Sequence, residues 1–120
     1  MKSKSEDKEQ IEFVSWFKKN YPNEMIIHIP NGKKRSIIDA VRLKAMGTKK
    51  GVPDLFFPEM KLWIEMKKEK GGKLSPEQAE LIQCLRNCGY TVGICNGCEE
   101  AKTFILYYKS LQCKQNDSIE

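Results

Sequence analysis

The sequence predicts an α/β domain in which a mixed β-sheet is flanked by helices. Three observations lead there. Gly51-Val52-Pro53-Asp54-Leu55-Phe56-Phe57 and Leu62-Trp63-Ile64-Glu65-Met66-Lys67 are two apolar, aromatic-rich runs joined through Pro58, Glu59, Met60 and Lys61, which reads as a β-hairpin. Tyr90-Thr91-Val92-Gly93-Ile94-Cys95 reads as a buried strand, and the helix before it makes it parallel to its neighbour. Helical periodicity before, between and after these strands supplies the covering layers.

Taken in order, the chain opens on residues 1–5, a polar stretch expected to be disordered. A helix follows from about Glu6 to Asn20, with Ile11, Phe13, Val14 and Phe17 on its apolar face. Acids (Glu6, Asp7, Glu9) crowd its first turn and lysines (Lys18, Lys19) its last, complementing the helix dipole. Tyr21-Pro22-Asn23 breaks it, and Met25 to Ile29 makes a first strand carrying His28, the single histidine. A lone strand histidine is more often structural than functional.

Pro30-Asn31-Gly32 signals a turn. Ile37, Ile38, Val41, Leu43 and Ala45 support a second helix, broken at Gly47, with Arg35 and Arg42 on roughly one side of it. After the hairpin, Lys68 to Lys73 is a polar loop. Ser75 then suits an N-cap, Pro76 the first helical position and Gln78 the far side of a capping box. Leu81, Ile82 and Leu85 bury this third helix, and Gly89 ends it. A last helix, from about Gly97 to Leu111, carries Ala101, Phe104, Ile105 and Tyr108, and the remainder reads as a tail.

Hydrophobic residues make up 40% of the 120 positions and charged ones 31%, an ordinary globular composition for one domain. No apolar run approaches the ~20 residues of a membrane helix, and the N-terminus has no signal-peptide core, so an intracellular protein is expected, cytoplasmic or nucleoid-associated. The net charge is +5, but residues 33–50 alone hold seven basic residues (Lys33, Lys34, Arg35, Arg42, Lys44, Lys49, Lys50) against one acid, Asp39. Such a cluster suits a phosphate backbone; as an isolated signal it suits a solvated face equally well.

Five cysteines without a secretion signal argue against a disulfide framework. Cys84, Cys88, Cys95 and Cys98 have an order that zinc can use. Cys84, Cys88 and Cys95 also fall at positions expected to face the core, where a free cysteine packs as a small hydrophobe.

The chemistry lies in the hairpin. A symmetric loop centred between Glu59 and Met60 sets Asp54 opposite Glu65, and strand alternation puts Glu65 and Lys67 on Asp54's face. Paired carboxylates repel, and a divalent cation with oxygen ligands removes the repulsion; Mg²⁺ is typically held by one or two carboxylates plus substrate phosphates.

Pro53-Asp54, followed eleven residues on by Glu65-Met66-Lys67, resembles the Pro-Asp…(Asp/Glu)-x-Lys signature of restriction-endonuclease-like nucleases, the PD-(D/E)XK superfamily. Within it the chain resembles the VRR-NUC domain, especially its small stand-alone versions. Pro30 to Arg35, Met46 to Phe57, Trp63 to Lys67 and Leu74-Ser75-Pro76-Glu77-Gln78 carry the likeness, in the family's order.

The resemblance implies a restriction-endonuclease-like fold, with a nuclease domain over 6–111 and a tail over 112–120. It implies a Mg²⁺- or Mn²⁺-dependent DNA endonuclease that favours branched or flapped DNA and acts as a homodimer on four-way junctions. Asp54, Glu65, the Met66 backbone carbonyl and Glu6 (Glu9 in reserve) would hold the metal. Asp54, Glu65, Lys67 and Gln78 would be catalytic. Asn31, Lys33, Lys34, Arg35, Arg42, Lys49 and Lys50 would contact nucleic acid. Gln78 would serve cap and active site only in different rotamers. A DNA-binding module with little or no cleavage is the alternative, and a Cys₄ zinc adaptor a third reading.

Overall fold

The computed structural model describes residues 5–30 and 36–118. Eight main elements follow one another in the expected order: α1 (Glu6–Asn20), β1 (Ile27–His28), α2 (Ile37–Ala45), β2 (Leu55–Phe57), β3 (Leu62–Lys67), α3 (Pro76–Asn87), β4 (Thr91–Asn96) and α4 (Cys98–Ser118). The strands form one mixed sheet in the order β1-β2-β3-β4, antiparallel until β3 meets β4 in parallel. The crossover through α3 imposes that last direction.

The hairpin has the expected register, pairing Leu55 with Ile64, Phe56 with Trp63 and Phe57 with Leu62. Its loop is a 3₁₀ turn over Pro58–Met60, closed by Lys61 in a left-handed conformation (φ 49°). Two outside contacts hold the loop: the Met25 amide donates to Glu59 Oε1 at 3.0 Å, and the Tyr108 hydroxyl donates to the Met60 carbonyl at 2.6 Å.

Leu55, Phe57, Leu62, Ile64 and Met66 point to one face and are fully buried beneath Phe13 and Phe17 of α1 and Ala101 and Ile105 of α4. Phe17 and Phe57 meet edge to face with ring centroids 5.0 Å apart. β3 runs between two paired strands and is buried along nearly its whole length. That is why a glutamate and a lysine near its end are buried too.

Several expectations need correction. Ile11 is exposed, because the buried stripe of α1 runs through Glu9, Phe13 and Phe17 at helical spacing and passes it by. The first strand is two residues long rather than five. Ser5, expected to be disordered, caps α1 by accepting from the Lys8 amide. Residues 112–118, read as a tail, continue α4, since neither glycine nor proline stops the helix.

Cys84 and Cys88 are exposed rather than core-facing, because the inward stripe of α3 is Gln78, Leu81, Ile82 and Leu85. Among the described residues no three His, Cys, Asp or Glu side chains are gathered to hold a metal ion, so the four cysteines do not form a zinc site. No helix of the described residues is long and apolar enough to cross a membrane. Finally, α2 forms where its apolar periodicity predicts, capped by Ser36, yet none of its residues is buried.

Candidate active site

The second face of the sheet carries the polar residues. Continuing the hairpin ladder one step beyond Leu55 and Ile64 sets Asp54 opposite Glu65. The Asp54 carbonyl accepts from the Ile29 amide at 2.8 Å, and its Oδ2 accepts from the Met66 amide at 2.8 Å. Both ends of the residue are thereby tied to strands on either side, so the carboxylate has little freedom.

Glu65 is 1% exposed and Lys67 8%. A buried carboxyl and ammonium persist only with partners, and here Gln78 supplies them. Its Nε2 donates to Glu65 Oε1 at 2.8 Å, and its Oε1 accepts from Lys67 Nζ at 3.0 Å. Lys67 Nζ itself stands 3.7 Å from Glu65 Oε1. The same Gln78 Oε1 accepts from the Ser75 amide at 2.9 Å, while the Ser75 hydroxyl accepts from the Gln78 amide, completing the capping box of α3.

One arrangement of Gln78 therefore serves helix and site together, against the expectation that each needs its own rotamer. An amide oxygen has two lone pairs, and both are used. Gln78→Ala is expected to lower stability by about 1 kcal/mol or more, since it removes half a capping box and strands the Glu65 and Lys67 groups. Urea unfolding measures this; unchanged stability would mean that the amide's contacts hold nothing together.

The electrostatics follow from burial. The Glu65 carboxyl is pushed up to about 8, first by burial and next by the neighbouring Asp54 charge, with Lys67 opposing. Asp54 is also raised, mainly by burial, with the Met66 amide acting in the opposite direction. Among the described residues Glu65 Oε2 is buried with no fixed donor, and Asp54 beside it can share only a proton that one of the two carboxyls holds. Two adjacent buried carboxyls that can share one proton, and that resist ionising together, form a donor pair suited to a hard divalent cation.

Glu6 is half-buried and raised mainly by burial, then acted on oppositely by Lys67 and Asp54, so the first turn of α1 lies within electrostatic reach of both. Glu9 is elsewhere. It is 5% exposed and so close to Gly97 that a Cβ there would lie 2.6 Å from its Oε2, just ahead of the α4 N-terminus, where an anion is favoured. Glu6 thus acts on Asp54 electrostatically without being gathered with Asp54 and Glu65 into a three-acid cluster, while Glu9 lies against Gly97, whose amide donates to the Lys67 carbonyl.

His28, set aside on the sequence, acts on the Asp54 carboxyl electrostatically and belongs to its surroundings. Its place beside Asp54 comes from β1 pairing with β2, which no local pattern reveals. Arg42, Lys49 and Lys50 are exposed, and Lys50 lies 3.9 Å from Glu77 in the first turn of α3. Asn31, Lys33, Lys34 and Arg35 lie outside the described residues.

A family model for the VRR-NUC domain matches residues 1–99. Among solved structures, a "VRR_NUC domain protein" is similar with a TM-score of 0.72, at 27% identity over 90% of each chain. No curated protein matches. The match takes in the hairpin, the capping box and the acid-lysine site between them, and the chain belongs to the VRR-NUC domain family, a family of nucleases.

Proposed function

We propose that the protein is a Mg²⁺- or Mn²⁺-dependent endonuclease that hydrolyses phosphodiester bonds in branched or flapped DNA as a homodimer. One observation carries the reading: buried Glu65 stands opposite Asp54 and interacts with its carboxyl, while Gln78 holds Lys67 Nζ within 3.7 Å of Glu65 Oε1. A binding-only protein gains nothing from carboxylates turned towards phosphates.

Asp54, Glu65, the Met66 carbonyl and Glu6 would hold the cation. Bound there, it would supply positive charge against the scissile phosphate and would lower the pKa of water. Lys67 offers its ammonium to the oxygens on which negative charge grows during displacement. Gln78 fixes the direction of that ammonium by accepting one of its three protons, leaving two for water and phosphate. Arg42, Lys49 and Lys50, with Asn31, Lys33, Lys34 and Arg35, would track the DNA backbone.

The homodimer is supported by α2. Ile37 and Ile38 are 84% and 81% exposed, and Val41 and Met46 are exposed with them. A helix of nine residues is too short to persist in water by propensity alone. Covering its apolar side with a second copy would bury these residues, and a two-fold pair would present two sites to two strands.

Incubation with linear, flapped and four-way DNA in Mg²⁺, Mn²⁺ or EDTA tests the proposal, with sedimentation reading the assembly. Cleavage is expected with either cation, faster on branched DNA, and none in EDTA. Tight binding without incision under every cation would overturn the endonuclease in favour of a binding module.

A further inference from the structure

The Lys67–Gln78 contact is enclosed by two close approaches of backbone, and a glycine stands at each. Gly72 follows the turn after β3, and a Cβ built on it would lie 2.8 Å from the Cβ of Lys67 and 3.2 Å from the Lys68 nitrogen. Gly51 (φ +92°) lies against the first turn of α3, where a Cβ would meet the Glu77 carbonyl at 2.8 Å and the Gln78 nitrogen at 2.9 Å. Carbon atoms prefer separations of about 3.5–4.0 Å, so neither position has room for a side chain.

We propose that Gly72 and Gly51 are positioning residues of the site, and that they set where the Lys67 ammonium and the Gln78 amide stand relative to Glu65. Gly72 bears on the root of the lysine side chain, and Gly51 bears on the backbone that carries the glutamine. The two side chains meet at 3.0 Å, so a displacement at either root changes one hydrogen bond that both depend on. Such bonds weaken steeply once misaligned. The role in cleavage rests on the endonuclease reading; the geometric role does not.

The two glycines of the loop allow a controlled test. Gly72 is outside the left-handed region, so Gly72→Ala adds the contact without backbone strain. Gly71 has φ +79° and open space around its Cβ, so Gly71→Ala adds strain without a contact. The readouts are the side-chain amide resonance of Gln78 in the metal-free protein, the DNA dissociation constant, and the single-turnover cleavage rate at saturating four-way DNA with Mg²⁺.

Gly72→Ala is expected to move the Gln78 resonance and to slow cleavage about 100-fold, the usual cost of a displacement near 1 Å. DNA affinity should stay within about twofold, because the spread basic surface is untouched. Gly71→Ala should keep the wild-type resonance and rate. Gly51→Ala, which reaches the same contact from the α3 side but adds the strain of a positive φ as well, provides the second variant if Gly72→Ala does not fold, with Gly71→Ala as its control for strain.

A wild-type Gln78 resonance in Gly72→Ala would overturn the inference, as would equal slowing by Gly71→Ala. A wild-type protein that cleaves no DNA would instead overturn the endonuclease reading, with the resonance still deciding the role of the glycines.

Discussion

Lys67→Ala is expected to lower the cleavage rate of bound DNA by about 10²–10³-fold, the scale of losing one preorganised electrostatic group at a reacting centre. DNA affinity should change little, since one nearly buried lysine adds little to a surface made of exposed basic residues. The variant should keep the fold, because the Met66 side of β3 that faces the core is unaltered. Single-turnover kinetics and a binding titration on the same four-way DNA separate the two effects. Wild-type cleavage by Lys67→Ala would remove the lysine from the mechanism.

The second large effect concerns Glu65 and pH. Its carboxyl, raised to about 8 in the folded protein from an ordinary value of 4.5, holds a proton that the unfolded chain releases. Its contribution to stability is therefore fully present below about pH 4.5 and is lost as pH rises through about 8. Glu65→Gln cannot ionise and should lose this slope. At pH 9 in EDTA it should be more stable than wild type by at least about 2 kcal/mol, because every tenfold difference in proton affinity between the folded and unfolded chain is worth about 1.4 kcal/mol.

Added Mg²⁺ should narrow that gap by stabilising wild type more than the variant, because Glu65 adds a charged oxygen to those that Asp54 and Glu6 keep in both proteins. Glu65→Gln should not cleave DNA. Thermal melts between pH 5 and 9, with and without Mg²⁺, provide the check; parallel pH slopes in the two proteins would show that Glu65 does not carry the buried proton.

How much of this is legible in the sequence depends on how local each signal is. The Asp54–Glu65 pairing can be read because the four-residue loop is symmetric and the strand period is two, so one turn sets the whole register. Ser75 and Gln78 announce a helix start through a pattern four residues long. That Gln78 also bridges Lys67 and Glu65 depends on α3 lying across β3, a tertiary fact absent from the local pattern.

The exposure of Cys84 and Cys88 is hidden for a similar reason. Helical periodicity says that a stripe turns inward, while the exact phase is decided by the sheet below it. α2 shows a further limit. Its apolar residues predict a helix correctly, but a sequence does not say which chain will cover them. The full length of α4 escapes the local reading because the residues after Leu111 are polar, and polarity alone neither continues nor stops a helix.

The capping box has a consequence for the lifetime of the site. Free energies of local opening range from near zero at fraying ends to the global value in the core, and a helix's first turn belongs to the lower range. In this protein the glutamine that closes that turn is also the partner of Lys67 and Glu65. Each time the turn opens, the ammonium and the buried carboxyl lose their alignment in the same event. For the proposed endonuclease, competence would thus be a property of a few hydrogen bonds at the mouth of α3, renewed whenever that turn closes, while the aromatic core beneath the sheet stays intact.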